Sequence, residues 1–79
     1  MPRYFIDTHD GDLFLKDEEG LDLGCLQEAR AQAQGALADL AREKIARAGS
    51  QWSMTTFVRD ESGKTVIRAA LSLAVQDEP

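Results

Sequence analysis

The chain has one histidine, and three aspartates lie within three residues of it. Asp7 precedes His9, and Asp10 and Asp12 follow it. An imidazole beside carboxylates is suited to general acid–base catalysis or to metal binding. The spacing matches neither a calcium loop between two helices nor a histidine-rich zinc site, and turns select aspartate for local hydrogen bonds to the backbone. We therefore expect this segment to be a solvated turn.

Cys25 is the only cysteine, so the chain forms no internal disulfide bond. A helix start favours the thiolate form of a nearby cysteine, which makes Cys25 a candidate nucleophile. No second cysteine and no neighbouring His or Lys accompanies it, and free cysteines usually pack as small hydrophobic residues. Cys25 and His9 are also too few ligands to close a zinc site. We expect Cys25 to be half-buried, and we expect no catalytic residue, metal ion or cofactor.

An acidic run, Asp17-Glu18-Glu19, precedes Gly20. Such a cluster could attract a divalent cation or a basic partner. The simpler interpretation is a solvated turn whose charges keep an adjacent edge strand from pairing with other molecules. The simpler interpretation is our expectation.

The aromatic residues are concentrated in segments that are typical of strands, where they could stack on nucleic-acid bases. These residues are Tyr4, Phe5, Phe14, Trp52 and Phe57. Binding to a phosphate backbone also requires clustered Lys and Arg, but the net charge is −5 and the isoelectric point is about 4.6. The charge therefore disfavours a nucleic-acid partner, and packing is the simpler role of these rings.

Alternating side chains and turn residues predict a hairpin in each half of the chain. The strands are predicted at residues 3–8, 13–16, 52–59 and 65–75. Between the hairpins, residues 26–48 are rich in Ala, Leu, Gln, Glu and Arg, which favours one long helix. The predicted fold class is α+β with the order ββαββ, two β-hairpins flanking a helix packed on a four-stranded antiparallel sheet. We expect a single domain over residues 1–79, with a frayed tail at 76–79.

The helix carries an apolar stripe whose members are three or four residues apart. We expect this stripe to be buried on the sheet; it comprises Leu26, Ala29, Ala33, Leu37 and Leu40. Gly35 lies in mid-helix, where glycine costs about 1 kcal/mol relative to alanine. We therefore expect the helix to approach the sheet closely at that glycine.

Several short motifs follow one another in a distinctive order along the chain. They are Met-Pro-Arg-Tyr-Phe at 1–5, Asp-Gly-Asp at 10–12, Asp-Glu-Glu-Gly at 17–20, Leu-Gln-Glu-Ala-Arg-Ala at 26–31 and Asp-Glu-Ser-Gly-Lys at 60–64. Together they resemble a family of short bacterial proteins, common in alpha-proteobacteria, that is classed as a domain of unknown function. The sequence departs from that pattern at Ile6, where a second Phe is frequent, and at Gly24-Cys25, where Pro-Asp is common. The resemblance implies the fold and supplies no catalytic residue.

One amphipathic helix covers only one face of a sheet, and the strands do not leave the second face cleanly polar. An exposed apolar patch on a small domain usually marks an interaction surface. The predicted interaction surface comprises Tyr4, Phe5, Trp52, Phe57 and Arg68. We expect two copies to pack through this surface face to face, with pairing of edge strands as the second arrangement.

These observations predict a small, non-catalytic binding or protein-interaction module that self-associates, most simply as a dimer. An unidentified protein is the other candidate partner. The alternatives are a nucleic-acid-associated accessory protein and, third, a small enzyme subunit. The chain shows no export signal and no apolar run that would span a membrane, and its single cysteine suits a reducing compartment. We therefore expect a cytoplasmic protein without membrane contact.

Overall fold

The computed structural model describes residues 2–79, which form one long helix on one face of an antiparallel sheet. The elements are β1 (Arg3–His9), β2 (Phe14–Leu15), β3 (Leu21–Asp22), α1 (Leu26–Lys44), a 3₁₀ turn (Ile45–Arg47), β4 (Gln51–Arg59) and β5 (Thr65–Ala74). The predicted α+β fold is confirmed, with five strands instead of four. Strand β3 was not predicted, because a two-residue strand next to an acidic, Gly-containing turn gives little strand signal.

Strands β1 and β4 form the centre of the sheet and join the two halves of the chain. The strand order is β2-β1-β4-β5, and β3 pairs with β1 at Arg3 and Tyr4, beyond the last residue that pairs with β4. Strand β5 pairs with β4 along its length, with an irregularity beside Arg59. Consequently β2 and β3 cover one edge of the sheet, and β5 forms the other edge.

The alternation of side chains assigns each strand residue to one face of the sheet. Val58 is fully buried and packs with Ala29 and Ala33 of α1, so the residues in register with Val58 also face the helix. The opposite side, named the open face, carries Phe5, Asp7, Phe57, Arg59 and Arg68. The side chains of β4 and β5 therefore alternate between the helix side and the open face.

Helix α1 is shorter than predicted, and its buried row differs from the predicted stripe. The buried residues are Ala29, Ala33, Leu37 and Ala41, which recur every four residues. Leu40 is half-buried and Leu26, in the first turn, is 45% exposed, so the expectation that both are buried was wrong. Gly35 is exposed with open space around its Cα, so the close approach expected there is absent; the buried alanines face the sheet instead. Within residues 2–79, no helix has the length and apolarity needed to cross a membrane.

The core is thin for a chain of this length. Its buried hydrophobic residues are Ala29, Ala33, Leu37, Ala41, Met54 and Val58, and half of them are alanines. The radius of gyration is 14.2 Å, with extents of 54 × 22 × 18 Å. A compact chain of this size would have a radius of gyration of about 12 Å. The molecule is therefore elongated, and in the described part of the chain eight large hydrophobic side chains are at least 38% exposed.

Candidate interaction surface

Asp7 is a buried carboxylate on the open face, and the guanidinium of Arg59 neutralises it. The Nε of Arg59 donates a hydrogen bond to Oδ2 of Asp7 at 2.7 Å, and its Nη2 donates to Oδ1 at 3.2 Å. The backbone N–H of Asp17 also donates to Oδ1, at 2.9 Å. The hydrogen bonds that Arg59 donates to Asp7 hold the pKa of Arg59 above its ordinary value. Asp7 is thus a structural group, and the expectation that it lies in a solvated turn was wrong.

Asp17 closes the gap between β2 and β3 at the edge of β1. Its Oδ2 accepts a hydrogen bond from the backbone N–H of Ile6 at 3.0 Å, where a strand neighbour would otherwise pair. Its Oδ1 accepts hydrogen bonds from the N–H groups of Glu19 at 3.1 Å and Gly20 at 3.0 Å. Burial raises the pKa of Asp17, but these hydrogen bonds and the charge of Arg59 outweigh it and leave the pKa below its ordinary value. The first acid of the turn is therefore part of the sheet edge.

Two arginines lie over the phenylalanine rings of the open face. The guanidinium carbon of Arg59 is 4.9 Å from the ring centre of Phe5, and that of Arg68 is 5.2 Å from the ring centre of Phe57. A cation over an aromatic face is stabilised by the electrons of the ring. The rings are half-buried, so the open face presents charged groups where the sequence alone suggested an apolar patch.

The residues of the predicted interaction surface do not share one face. Phe5, Phe57 and Arg68 lie on the open face, whereas Tyr4 packs against the helix-side core. Trp52 has the same strand parity as the buried Met54, so its side chain also lies on the helix side. The five residues therefore lie on two different sides of the sheet and form no single surface. Self-association of the chain stays a prediction.

The acidic residues around His9 are not brought together. His9 is exposed beside Phe14, with 6.2 Å between their ring centres. Asp10 forms an ion pair with Lys44 at the end of α1, and the hydrogen bond from Lys44 lowers the pKa of that carboxyl. Asp12 is exposed. Across residues 2–79, no three His, Cys, Asp or Glu side chains are placed to hold one metal ion.

Cys25 lies at the start of α1 and is exposed, so the expectation that it is half-buried was wrong. No side chain caps the helix at that position. Instead, Oε2 of Glu28 accepts a hydrogen bond from the backbone N–H of Gly24 at 2.7 Å. In a capping box the acid at this helix position accepts from the cap residue's own N–H, whereas Glu28 accepts from the residue before the cap, so the contact resembles a capping box displaced by one residue.

The outer edge of β5 differs from the edge of β1 in having no cover. The strand runs for ten residues, Thr65–Ala74, and Arg68 is its only charged side chain. Among residues 2–79, no strand pairs with its outer side. On the helix side of this edge, Leu71 is 38% exposed, and Val75 just beyond the strand is 53% exposed. This edge is the candidate interaction surface that the fold creates.

Comparison with known proteins identifies a family for nearly the whole chain. Residues 3–72 match the model of a domain of unknown function, DUF6894. The chain belongs to the DUF6894 family. The DUF6894 match extends from the start of β1 into β5, so it includes Asp7, Asp17 and Arg59. No curated protein and no solved structure matches the chain.

Proposed function

We propose that this DUF6894 chain is a small, non-catalytic protein-interaction module of the bacterial cytoplasm that acts as a homo-oligomer. The observation that carries the proposal is the combination of a thin core with a long uncovered strand edge. Among residues 2–79, six hydrophobic residues are buried, whereas eight large ones are at least 38% exposed. Small domains with so little core usually gain stability from a partner, a metal or disulfide bonds. A second chain supplies the missing burial.

The use of the ionisable groups supports a non-catalytic role. Three acids have structural partners: Asp7 binds Arg59, Asp10 binds Lys44, and Asp17 binds backbone N–H groups. Asp60 accepts hydrogen bonds from Ser62 and from the N–H of Lys64, and these lower its pKa. A catalytic acid or base needs its lone pairs or proton available to a substrate. The lone pairs of these carboxylates accept hydrogen bonds that stabilise the fold.

Light scattering during size-exclusion chromatography tests the proposal directly. We expect a mass of twice 8.7 kDa or a higher multiple at micromolar concentration, and a decrease in mass on dilution. A mass of one chain over a hundredfold range of concentration, about micromolar to about 0.1 millimolar, would contradict self-association, because a dimer of functional affinity forms within that range. Measurement at two salt concentrations separates apolar contacts from charge-driven association.

A second candidate function is binding of single-stranded nucleic acid by the open face. One observation favours it: Phe5 and Phe57 lie on neighbouring central strands and on the same face, and an arginine lies beside each ring. Sheet-based RNA-binding proteins use aromatic residues in this way. Anisotropy titration of a labelled single strand at several salt concentrations tests it. Binding that weakens steeply with salt and is reduced by Arg68→Gln would support this function; no binding at low salt would exclude it.

A further inference from the structure

The outer edge of β5 is the part of the protein surface that most needs a partner. An edge strand presents backbone N–H and C=O groups that can pair with another strand, and natural proteins usually block such edges with charges, prolines or a covering segment. Strand β5 contains no proline, and its one charged residue is Arg68. The irregularity in register lies at its first residues, opposite Arg59, so the strand from Ile67 onward pairs regularly with β4. From Ile67 onward the edge is therefore regular in register and mostly apolar, with Arg68 and Ser72 as its polar side chains.

We propose that this edge pairs in antiparallel fashion with β5 of a second copy, around a two-fold axis at Ala70, so that two sheets become one. This inference rests on the proposed function, because it specifies where the two chains meet. A closed two-fold interface uses the same residues on both copies. The edge must therefore be complementary to itself. The order of side chains along β5 shows which residues would lie opposite each other.

The register centred on Ala70 places complementary residues opposite each other. Arg68 of one copy lies opposite Ser72 of the other, so that the guanidinium faces a hydroxyl acceptor and no like charges meet. Like charges directly opposite each other would destabilise the strand pair. At the axis, Ala70 meets Ala70, and two methyl groups leave room for the backbones to pair. All of these side chains lie on the open face.

The helix side of the edge is complementary in the same register. Leu71 lies opposite Ala69, and Ile67 lies opposite Leu73, so each pair combines apolar side chains. Leu71 is 38% exposed in the single chain, and pairing would cover it. The apolar row beneath the two helices then continues across the axis. Because both faces agree in one register, a second copy fits this edge better than a strand of unrelated sequence.

The alternatives for the dimer contact are less favourable on the same observations. Face-to-face packing of the open faces would bring Arg59 and Arg68 against another protein, and removal of water from guanidinium groups is costly unless they find new partners. The edge of β1 is occupied by β2, β3 and the carboxylate of Asp17. Of the three candidate contacts, the uncovered edge of β5 is the one at which the backbone groups of two copies can pair.

A charge exchange at residue 70 tests the interface and its register together. Ala70 is exposed on the open face, so Ala70→Lys and Ala70→Glu should both fold, which thermal unfolding by circular dichroism verifies. In each variant alone, two like charges lie opposite each other at the axis, and we expect the dissociation constant to rise roughly tenfold. In an equimolar mixture, the unlike charges pair, and we expect a mixed dimer with wild-type affinity or better. Ser53→Lys and Ser53→Glu, on the same face of β4, are the matched controls and should leave association unchanged.

Each other outcome overturns a definite part of the argument. Wild-type association of both Ala70 variants would exclude the β5 edge while leaving the proposed oligomer intact. Weakened association that mixing does not restore would exclude the two-fold axis at Ala70. Equal weakening by the Ser53 variants would show that the open face is the contact. A monomeric wild-type protein would remove the proposed function, and this inference with it.

A cysteine scan provides an independent measurement of the same register. In a Cys25→Ser background, Ala70→Cys should form a cross-linked dimer faster than Ala69→Cys, Leu71→Cys or Ser53→Cys, because only residue 70 faces itself across the axis. Directly opposite residues in an antiparallel pair have Cα atoms about 4.5–5.5 Å apart, which suits a disulfide. Fastest cross-linking at any of the other positions would overturn the register.

Discussion

The two edges of the sheet have the same backbone requirement, and the chain meets it differently at each. At the edge of β1, two short strands and the carboxylate of Asp17 provide partners for the backbone. At the edge of β5, ten residues have no neighbour on the outer side within residues 2–79. The chain is thus protected against unwanted pairing on one side only. The difference shows that short strands and one turn carboxylate can protect an edge, and the unprotected edge of β5 is where we propose that two chains associate.

The largest expected effect is at the buried ion pair that anchors the protected edge. The side chains of Asp7 and Arg59 are 5% and 19% exposed. Asp7→Ala removes the acceptor of the Asp17 N–H and leaves the guanidinium only the backbone oxygen of Asp17, so the free energy of unfolding should fall by about 3 kcal/mol. Urea denaturation measures it, and Asp12→Ala, at an exposed aspartate, should cost less than about 0.5 kcal/mol. Equal costs for the two variants would mean that the ion pair does not hold this edge.

The next effect concerns Gly20, which ends the acidic turn. Its φ is +74°, and a Cβ there would lie 2.8 Å from the Phe5 ring and 2.9 Å from the Arg3 side chain. Gly20→Ala should therefore cost about 2 kcal/mol or more, from backbone strain and overlap together. Gly11→Ala is the matched control, because Gly11 has a φ of +85° with nothing within 4 Å of the added Cβ. That control should cost about 1 kcal/mol, and a larger cost at Gly11 than at Gly20 would contradict the packing of the turn on Phe5.

A smaller effect should appear in acid. The pKa of Asp17 is lowered in the folded protein, so between its folded and unfolded pKa values the unfolded chain binds more protons. The stabilisation by Asp17 is therefore complete above its ordinary value of 3.8 and is lost as the pH falls through the folded pKa. Between about pH 5 and about pH 2.5, the wild type should lose about 1 kcal/mol more than Asp17→Asn. Asp10 and Asp60 also have lowered pKa values, but they contribute equally to both proteins and cancel. Parallel loss in the two proteins would show that Asp17 does not close the edge as a carboxylate.

The smallest effect on stability should give the clearest contrast between the edges. Leu71 of β5 and Leu15 of β2 both lie on the helix side of an edge strand and are 38% and 53% exposed. Leu71→Thr and Leu15→Thr should each change the free energy of unfolding of the monomer by less than about 1 kcal/mol. Only Leu71→Thr should weaken association, as measured by light scattering. Weaker association with Leu15→Thr alone would place the contact at the protected edge.

Local pattern was sufficient to predict the hairpins and the helix. Alternation in residues 52–59 and 65–75 correctly divided their side chains between two faces, because strand geometry is fixed by the backbone. The helix was found at Leu26, but its end was predicted at Ala48 and lies at Lys44, with a 3₁₀ turn after it. Helix ends depend on capping contacts and are the least certain part of a pattern.

The interaction surface shows why the sequence was insufficient there. Tyr4 and Phe5 are adjacent in sequence, so they lie on opposite faces of β1, and a list of aromatic residues does not reveal which of them share a face with Trp52 or Phe57. The strand order, which the sequence analysis left open, also decided which edge is covered. Asp17 and Arg59 are 42 residues apart and come together only because β1 pairs with β4.

The sequence by itself determined the fold class, the hairpin–helix–hairpin order, the small size of the core and the acidic charge, because these depend on composition and on periodicity within one segment. Only the tertiary structure decided that Asp7 is buried against Arg59, that Asp17 supplies an acceptor to Ile6, and that β5 is the uncovered edge. Each of these depends on contacts between segments that are distant in sequence. An aspartate in a turn has the same local pattern whether water or a backbone N–H is its partner, and only the packing of the strands selects between them.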